Sequence, residues 1–107
     1  MRVSIKDDVM SIYVNKQENI VFTGDYDGSV KKWSLSDLKL IKAWRAHSEG
    51  CPVYSLTGDD TSKALFSSSC SGEIKEWSQD TGEFVQMTIV TVGKSIPNKI
   101  LLTQSKC

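Results

Sequence analysis

The feature that most constrains this chain is that it repeats itself. Shifted by 44 residues, Val9–Ser34 aligns with Val53–Ser78 without a gap. Seven of the 26 positions are identical: Val9/Val53, Ser11/Ser55, Phe22/Phe66, Gly28/Gly72, Lys31/Lys75, Trp33/Trp77 and Ser34/Ser78. Average residue usage gives about one or two by chance. The pairs Ile12/Leu56, Val21/Leu65, Thr23/Ser67 and Val30/Ile74 are conservative. A duplicated unit of this length cannot bury its faces alone, so the copies must stack on one another.

Each unit reads as strands joined by turns. In the first, Val9–Val14, Asn19–Asp25, Ser29–Ser34 and Leu38–Arg45 alternate or run apolar over strand lengths, and Asp27-Gly28 is a strong hairpin signal. The second repeats the plan with Val53–Thr57, Lys63–Ser69, Glu73–Ser78 and Glu83–Val90, turning at Ser71-Gly72 and at Asp80-Thr81-Gly82. Nowhere do apolar residues hold a 3.6-residue period over a helix length. Strands repeating every ~40–45 residues mark the blades of a propeller. The expected fold is therefore all-β: an incomplete β-propeller of two four-stranded antiparallel blades plus part of a third. The 107 residues allow one small domain, with units over 9–46 and 47–90 and the start of a third blade over 91–107. Ile100–Cys107 matches Ile20–Asp27 loosely, and Arg2–Lys6 alternates like an outer strand.

The stretches FTGDYDGSVKKWS and FSSSCSGEIKEWS resemble the middle of a WD repeat, with Trp-Ser in place of the terminal Trp-Asp in both. Ala46-His47 stands where that family carries Gly-His. The resemblance implies a buried hydrogen-bonded chain of His, Ser/Thr, Asp and Trp in each blade. A buried carboxylate needs donors, and the indole N–H needs an acceptor. By position the first blade supplies Thr23, Asp27 and Trp33, with Val3 at the histidine position. The second supplies His47, Ser67 and Trp77, with Ser71 at the aspartate position. Both chains are expected to be partial.

The resemblance also implies a platform for other proteins or peptides, working through the surface at the channel mouth. The contact positions it points to are Asp8, Met10 and Tyr26 in the first blade and Pro52, Tyr54 and Cys70 in the second. Tyrosine and methionine offer large adaptable apolar area there. Met10 and Tyr54 can equally pack between blades. A substrate adaptor or signalling subunit of a larger complex, of the ubiquitin-ligase type, is the alternative. Reading a phosphopeptide wants several arginines, and only Arg2 and Arg45 exist.

Other function classes find little to rest on. Thirteen basic and 13 acidic residues cancel, and neither half carries a basic excess fit for nucleic acid. No apolar run approaches the ~20 residues of a membrane span. His47 is the only histidine, and no paired acids, metal ligands at metal spacing or activated nucleophile accompany it. An enzyme, a cofactor and a metal are accordingly not expected. The odd and widely spaced Cys51, Cys70 and Cys107 read as reduced thiols, giving a cytoplasmic address with the nucleus open. Cys70 is expected to be a small residue at a strand end, Asp59-Asp60 an ordinary loop tip, Lys31, Lys32, Lys42 and Lys75 solvated, and Trp44 an inter-blade packing residue. Two blades leave broad faces open. A longer propeller, self-association into a ring, or a truncated or shortened form are the resolutions, and the start at Met1 and stop at Cys107 make the last the expectation.

Overall fold

A computed structural model describes residues 8–70 and 72–89. It contains two four-stranded antiparallel sheets in simple meander order. The first comprises β1 (Val9–Asn15), β2 (Ile20–Asp25), β3 (Ser29–Ser34) and β4 (Leu40–Arg45). The second comprises β5 (Ser55–Asp59), β6 (Ala64–Ser68), β7 (Glu73–Ser78) and β8 (Phe84–Ile89). The eight strands fall on the eight expected segments. Arg2–Lys6, Ile100–Cys107 and Ser71 lie outside the described residues.

The backbone carries the 44-residue period even where the side chains do not. Left-handed φ angles occur at Asn19 and Lys63, at Gly28 and Gly72, and at Leu38 and Gly82, each pair separated by that shift. Gly28 makes the β2–β3 turn at φ 96°, and a Cβ there would lie 2.8 Å from the His47 carbonyl. Leu38 takes φ 56° although it has a side chain, and its N–H donates to the Ser34 carbonyl at 2.7 Å. That turn explains why β4 begins at Leu40 and not at Leu38 as the pattern suggested. Likewise Val53 and Tyr54 precede β5: the Val53 N–H goes to Asp25 of the first sheet at 3.1 Å, outside the ladder.

Alternation along the strands decides which sheet face is covered. In β1, Ser11 and Tyr13 stand opposite Gly24 and Phe22, and those pair in turn with Val30 and Lys32 of β3. This face meets the second sheet. Its partner surface carries Gly58, Leu65 and Trp77 on β5, β6 and β7. The shared core contains Phe22, Val30, Ala46, Val53, Leu56, Leu65 and Trp77, with Tyr13, Ile20 and Trp44 against it. Burying a side chain such as Phe22 or Leu65 contributes roughly 2 kcal/mol. Trp44 is an inter-blade residue as expected: its ring sits 5.8 Å from Trp77 and 6.5 Å from Phe22. The opposite face of the first sheet leaves Ile12, Val14 and Leu40 exposed, and β8 is exposed throughout. The stack is thus head to tail, with one face of each blade presented outward. Among the described residues no helix is long and apolar enough to cross a membrane.

Candidate functional site

The meander places four chain segments at one end of the stack: the start of β1, the β2–β3 turn, the connector 46–54 and the β6–β7 turn. Hydrogen bonds hold them there. The Tyr26 N–H donates to the Asp8 carbonyl at 3.0 Å, and the Tyr54 N–H to the Ser68 carbonyl at 3.0 Å. The N–H groups of Ala46 and His47 both donate to the Gly28 carbonyl at 2.9 Å. Arg45 Nη1 donates to the Asp27 carbonyl at 2.8 Å, and Lys75 Nζ to the Ala46 carbonyl at 2.9 Å.

Of the six positions expected to make contacts, four are exposed. Tyr26 is 60% exposed, Met10 42%, Tyr54 41%, and Asp8 is exposed beside Tyr26. Met10 falls in a break of register between Val9 and Ser11, which turns it off the β1–β2 ladder. Pro52 is different: it is buried, and its carbonyl accepts from Ser69 Oγ at 2.7 Å. A buried ring offers no contact area, so Pro52 secures the edge and does not present it. Cys70 is partly exposed and its Sγ lies 3.2 Å from Cys51 Sγ, so it is more than a small strand-end residue.

Beneath this edge lie the two polar chains. In the second blade Trp77 Nε1 donates to Ser67 Oγ at 2.9 Å, and Ser67 Oγ is 3.0 Å from His47 Nε2. The hydroxyl accepts from the indole and is hydrogen-bonded to Nε2 of the imidazole, which leaves Nδ1 as the ring's other polar atom. Among the described residues that Nδ1 has no hydrogen-bond partner. Burial first, and the Lys75 ammonium next, lower the His47 pKa to about 4, so the ring is neutral at pH 7. In the first blade Trp33 Nε1 donates to Thr23 Oγ1 at 2.9 Å. Asp27, expected as the buried acid, is exposed in the turn and caps the Ser29 N–H at 3.1 Å. The buried acid is Asp25, which also accepts from the Ser29 N–H at 3.1 Å and pairs with Lys31 at 3.4 Å. With no histidine in this blade to receive it, the Asp27 carboxylate stays in water. Burial, then the hydrogen bond with Asp27, raises the Asp25 carboxyl, while that same bond lowers Asp27.

Contacts between the blades were invisible in the sequence pattern. Lys32 is buried, not solvated, and its Nζ donates to the carbonyls of Gln79 at 2.9 Å and Asp80 at 3.2 Å. Asn15 Nδ2 donates to Gln79 Oε1 at 2.9 Å in the interior. Asp60, expected as a plain loop residue, accepts from the Tyr13 hydroxyl. Burial, then that bond, pushes the Tyr13 pKa up to about 12. Among the described residues no group of three or more His, Cys, Asp or Glu could hold a metal.

The His47 shift makes acid sensitivity predictable. Its folded pKa of about 4 lies below the unfolded value of 6.5, so the unfolded chain takes the proton first. Stability contributed by the neutral ring is complete above pH 6.5 and is lost as pH falls toward 4. The loss is about 3 kcal/mol. Urea unfolding at pH 7.0, 5.5 and 4.5, in the chain and in His47→Gln, checks this. The variant is expected to lose about one proton's worth of pH slope in that window, and an unchanged slope refutes the assignment.

Comparison with known proteins agrees with the geometry. The family model "WD domain, G-beta repeat" matches residues 3–34 and 38–78. A curated relative, the COMPASS component SWD3 of Saccharomyces cerevisiae, is 34% identical over 74 residues, which is 69% of this chain and 23% of the relative. The chain therefore spans about a quarter of that protein's length. Among solved structures, the β-propeller domain of Myceliophteria thermophila Cps50 (Swd1) superposes with a TM-score of 0.75 at 16% identity, covering 92% of this chain and 28% of that one. The WD40 repeats of RRP9 give 0.71 at 16% identity over 81% of this chain and 27% of theirs.

Proposed function

Because the chain belongs to the WD40-repeat family, we propose that it serves as a non-catalytic protein-interaction scaffold, contributing blades to a propeller that is a subunit of a larger assembly. The observation that carries this reading is the exposure at one end of both sheets of Met10, near the start of β1, and of Tyr26 and Tyr54, on loops tied to the blades by backbone hydrogen bonds. Tyrosine rings on a fixed frame suit binding, since little ordering entropy is lost, and the flexible Met10 side chain adds adaptable apolar area. The relative named as a COMPASS component supports the subunit role. Catalysis finds no support: Nε2 of the only histidine is committed to Ser67. A cytoplasmic address gains nothing from these relatives over a nuclear one.

The outward faces favour an unlike partner sheet over a second copy of this chain. Lys32 reaches across the present interface to two carbonyl oxygens. One repeat on, the residue in its place is Glu76, whose carboxylate accepts from Gln86 at 2.8 Å and has no proton to donate. Head-to-tail docking of a second copy by the same stacking would aim that carboxylate at carbonyls.

The test is affinity capture of partners with the chain and with Tyr26→Ala and Tyr54→Ala. Each substitution is expected to weaken recovery of a bound partner about tenfold, with the thermal midpoint unchanged. Equal recovery from both variants refutes the contact edge.

A further inference from the structure

The proposed contact edge holds a pair of thiols, one of them at the expected contact position Cys70. Cys51 sits on the connector between the blades and Cys70 where β6 enters its turn, and their Sγ atoms lie 3.2 Å apart in a thiol–thiol hydrogen bond. Both are partly exposed, so a small oxidant reaches them. A disulfide needs ~2.05 Å between the sulfurs, so closure requires a shift of only about 1 Å. Hydrogen bonds hold the backbone on either side. The Cys51 N–H donates to the Ser48 carbonyl at 2.9 Å, Ser69 Oγ to the Pro52 carbonyl at 2.7 Å, and the Tyr54 N–H to the Ser68 carbonyl at 3.0 Å. The segments carrying the two sulfurs are thus tied together by neighbouring residues.

We propose that Cys51 and Cys70 are a redox modification site that closes to an intramolecular disulfide and reopens with a thiol reductant. The oxidant is a hydroperoxide. One thiolate attacks the O–O bond, which breaks as S–OH forms and one water or alcohol leaves. The second sulfur then displaces hydroxide from S–OH, giving the S–S bond and water. The two thiols lose two electrons and two protons, and the peroxide gains them. The Cys51 thiol is raised above its ordinary value, by the Cys70 bond first, then burial, with Glu73 adding repulsion. Closure is therefore slow at neutral pH, as suits a lock more than a fast sensor. The closed pair fastens the connector to the second blade and restrains the ends from which Tyr54 projects.

Peptide mapping after mild hydrogen peroxide treatment tests the site without any partner protein, so it stands or falls apart from the scaffold reading. Cys107 supplies the internal competitor. In a urea-denatured chain, loop closure alone favours Cys51–Cys70 over Cys70–Cys107 by about threefold. The native chain is expected to exceed that ratio by at least about tenfold, with a mass loss of two hydrogens that dithiothreitol reverses. The oxidised chain should also melt about 10 °C higher, a gain absent in Cys51→Ser. A native linkage ratio equal to the denatured one, cross-linked dimers, or separate sulfinic acids on unlinked cysteines would overturn the proposal.

Discussion

Ser67→Ala is expected to destabilise the chain by about 4 kcal/mol, far more than the loss of one hydroxyl from an average site. The Ser67 hydroxyl is fully buried and serves two nitrogens, Trp77 Nε1 at 2.9 Å and His47 Nε2 at 3.0 Å. Removing it strands both. Among the described residues His47 Nδ1 has no partner, so the imidazole would be left there with neither nitrogen bonded. Each buried orphan costs about 1–3 kcal/mol. The corresponding change in the first blade, Thr23→Ala, frees only Trp33 Nε1, on a half-buried ring that water reaches. It should cost about 1 kcal/mol. Urea midpoints at constant slope measure both. Equal costs would show that the two blades do not differ in how their tryptophans are held.

Gly58→Val should rival that effect through packing. A Cβ at Gly58 would fall inside the Tyr13 ring, against Cε2 and Cζ. The ring cannot swing aside freely, because its hydroxyl donates to Asp60. Forced overpacking of this kind costs about 3 kcal/mol. One repeat earlier the residue in place of Gly58 is Val14, and the residue in place of Tyr13 one repeat later is Thr57. The large and small residues of the existing interface are thus each replaced by a medium-sized one at the equivalent position of the other blade. The double variant Tyr13→Thr, Gly58→Val is expected to be more stable than the sum of the single changes by about 2 kcal/mol. Additivity would mean that the ring does not set the glycine.

The sequence made the blades legible and left their contacts hidden, and the residues show why. Trp33 and Trp77 pair with Val21 and Leu65 at equivalent rungs because the same turn glycine, 28 or 72, starts the same strand five residues earlier. That information is local and recurs in the sequence. The roles of Lys32, Asn15 and Asp60 depend on where one sheet sits against the next. Their partners lie 47 to 64 residues away and share no motif with them. The exchange of Asp27 for Asp25 as the buried acid has the same origin. The motif places Asp27 at the turn, but that its carboxylate caps Ser29 there while Asp25 is buried depends on the folded packing. Pro52 was assigned from its place in the repeat, and its burial accompanies a hydrogen bond from Ser69, just past the end of β6, which the repeat does not announce. Leu38 is the plainest case. Its left-handed backbone is dictated by the turn it shares with Gly82, and leucine does not advertise it.

The connector between the sheets is fastened to both. Its first two N–H groups rest on Gly28, its Ala46 carbonyl is held by Lys75, and the Val53 N–H returns to Asp25. A linker bound this way cannot act as a hinge. Fraying of either blade must tear hydrogen bonds belonging to the other, so amides in β2 and β6 should exchange with solvent through one shared opening event. The smallest piece that opens is the pair, and any neighbour gripping one blade steadies both.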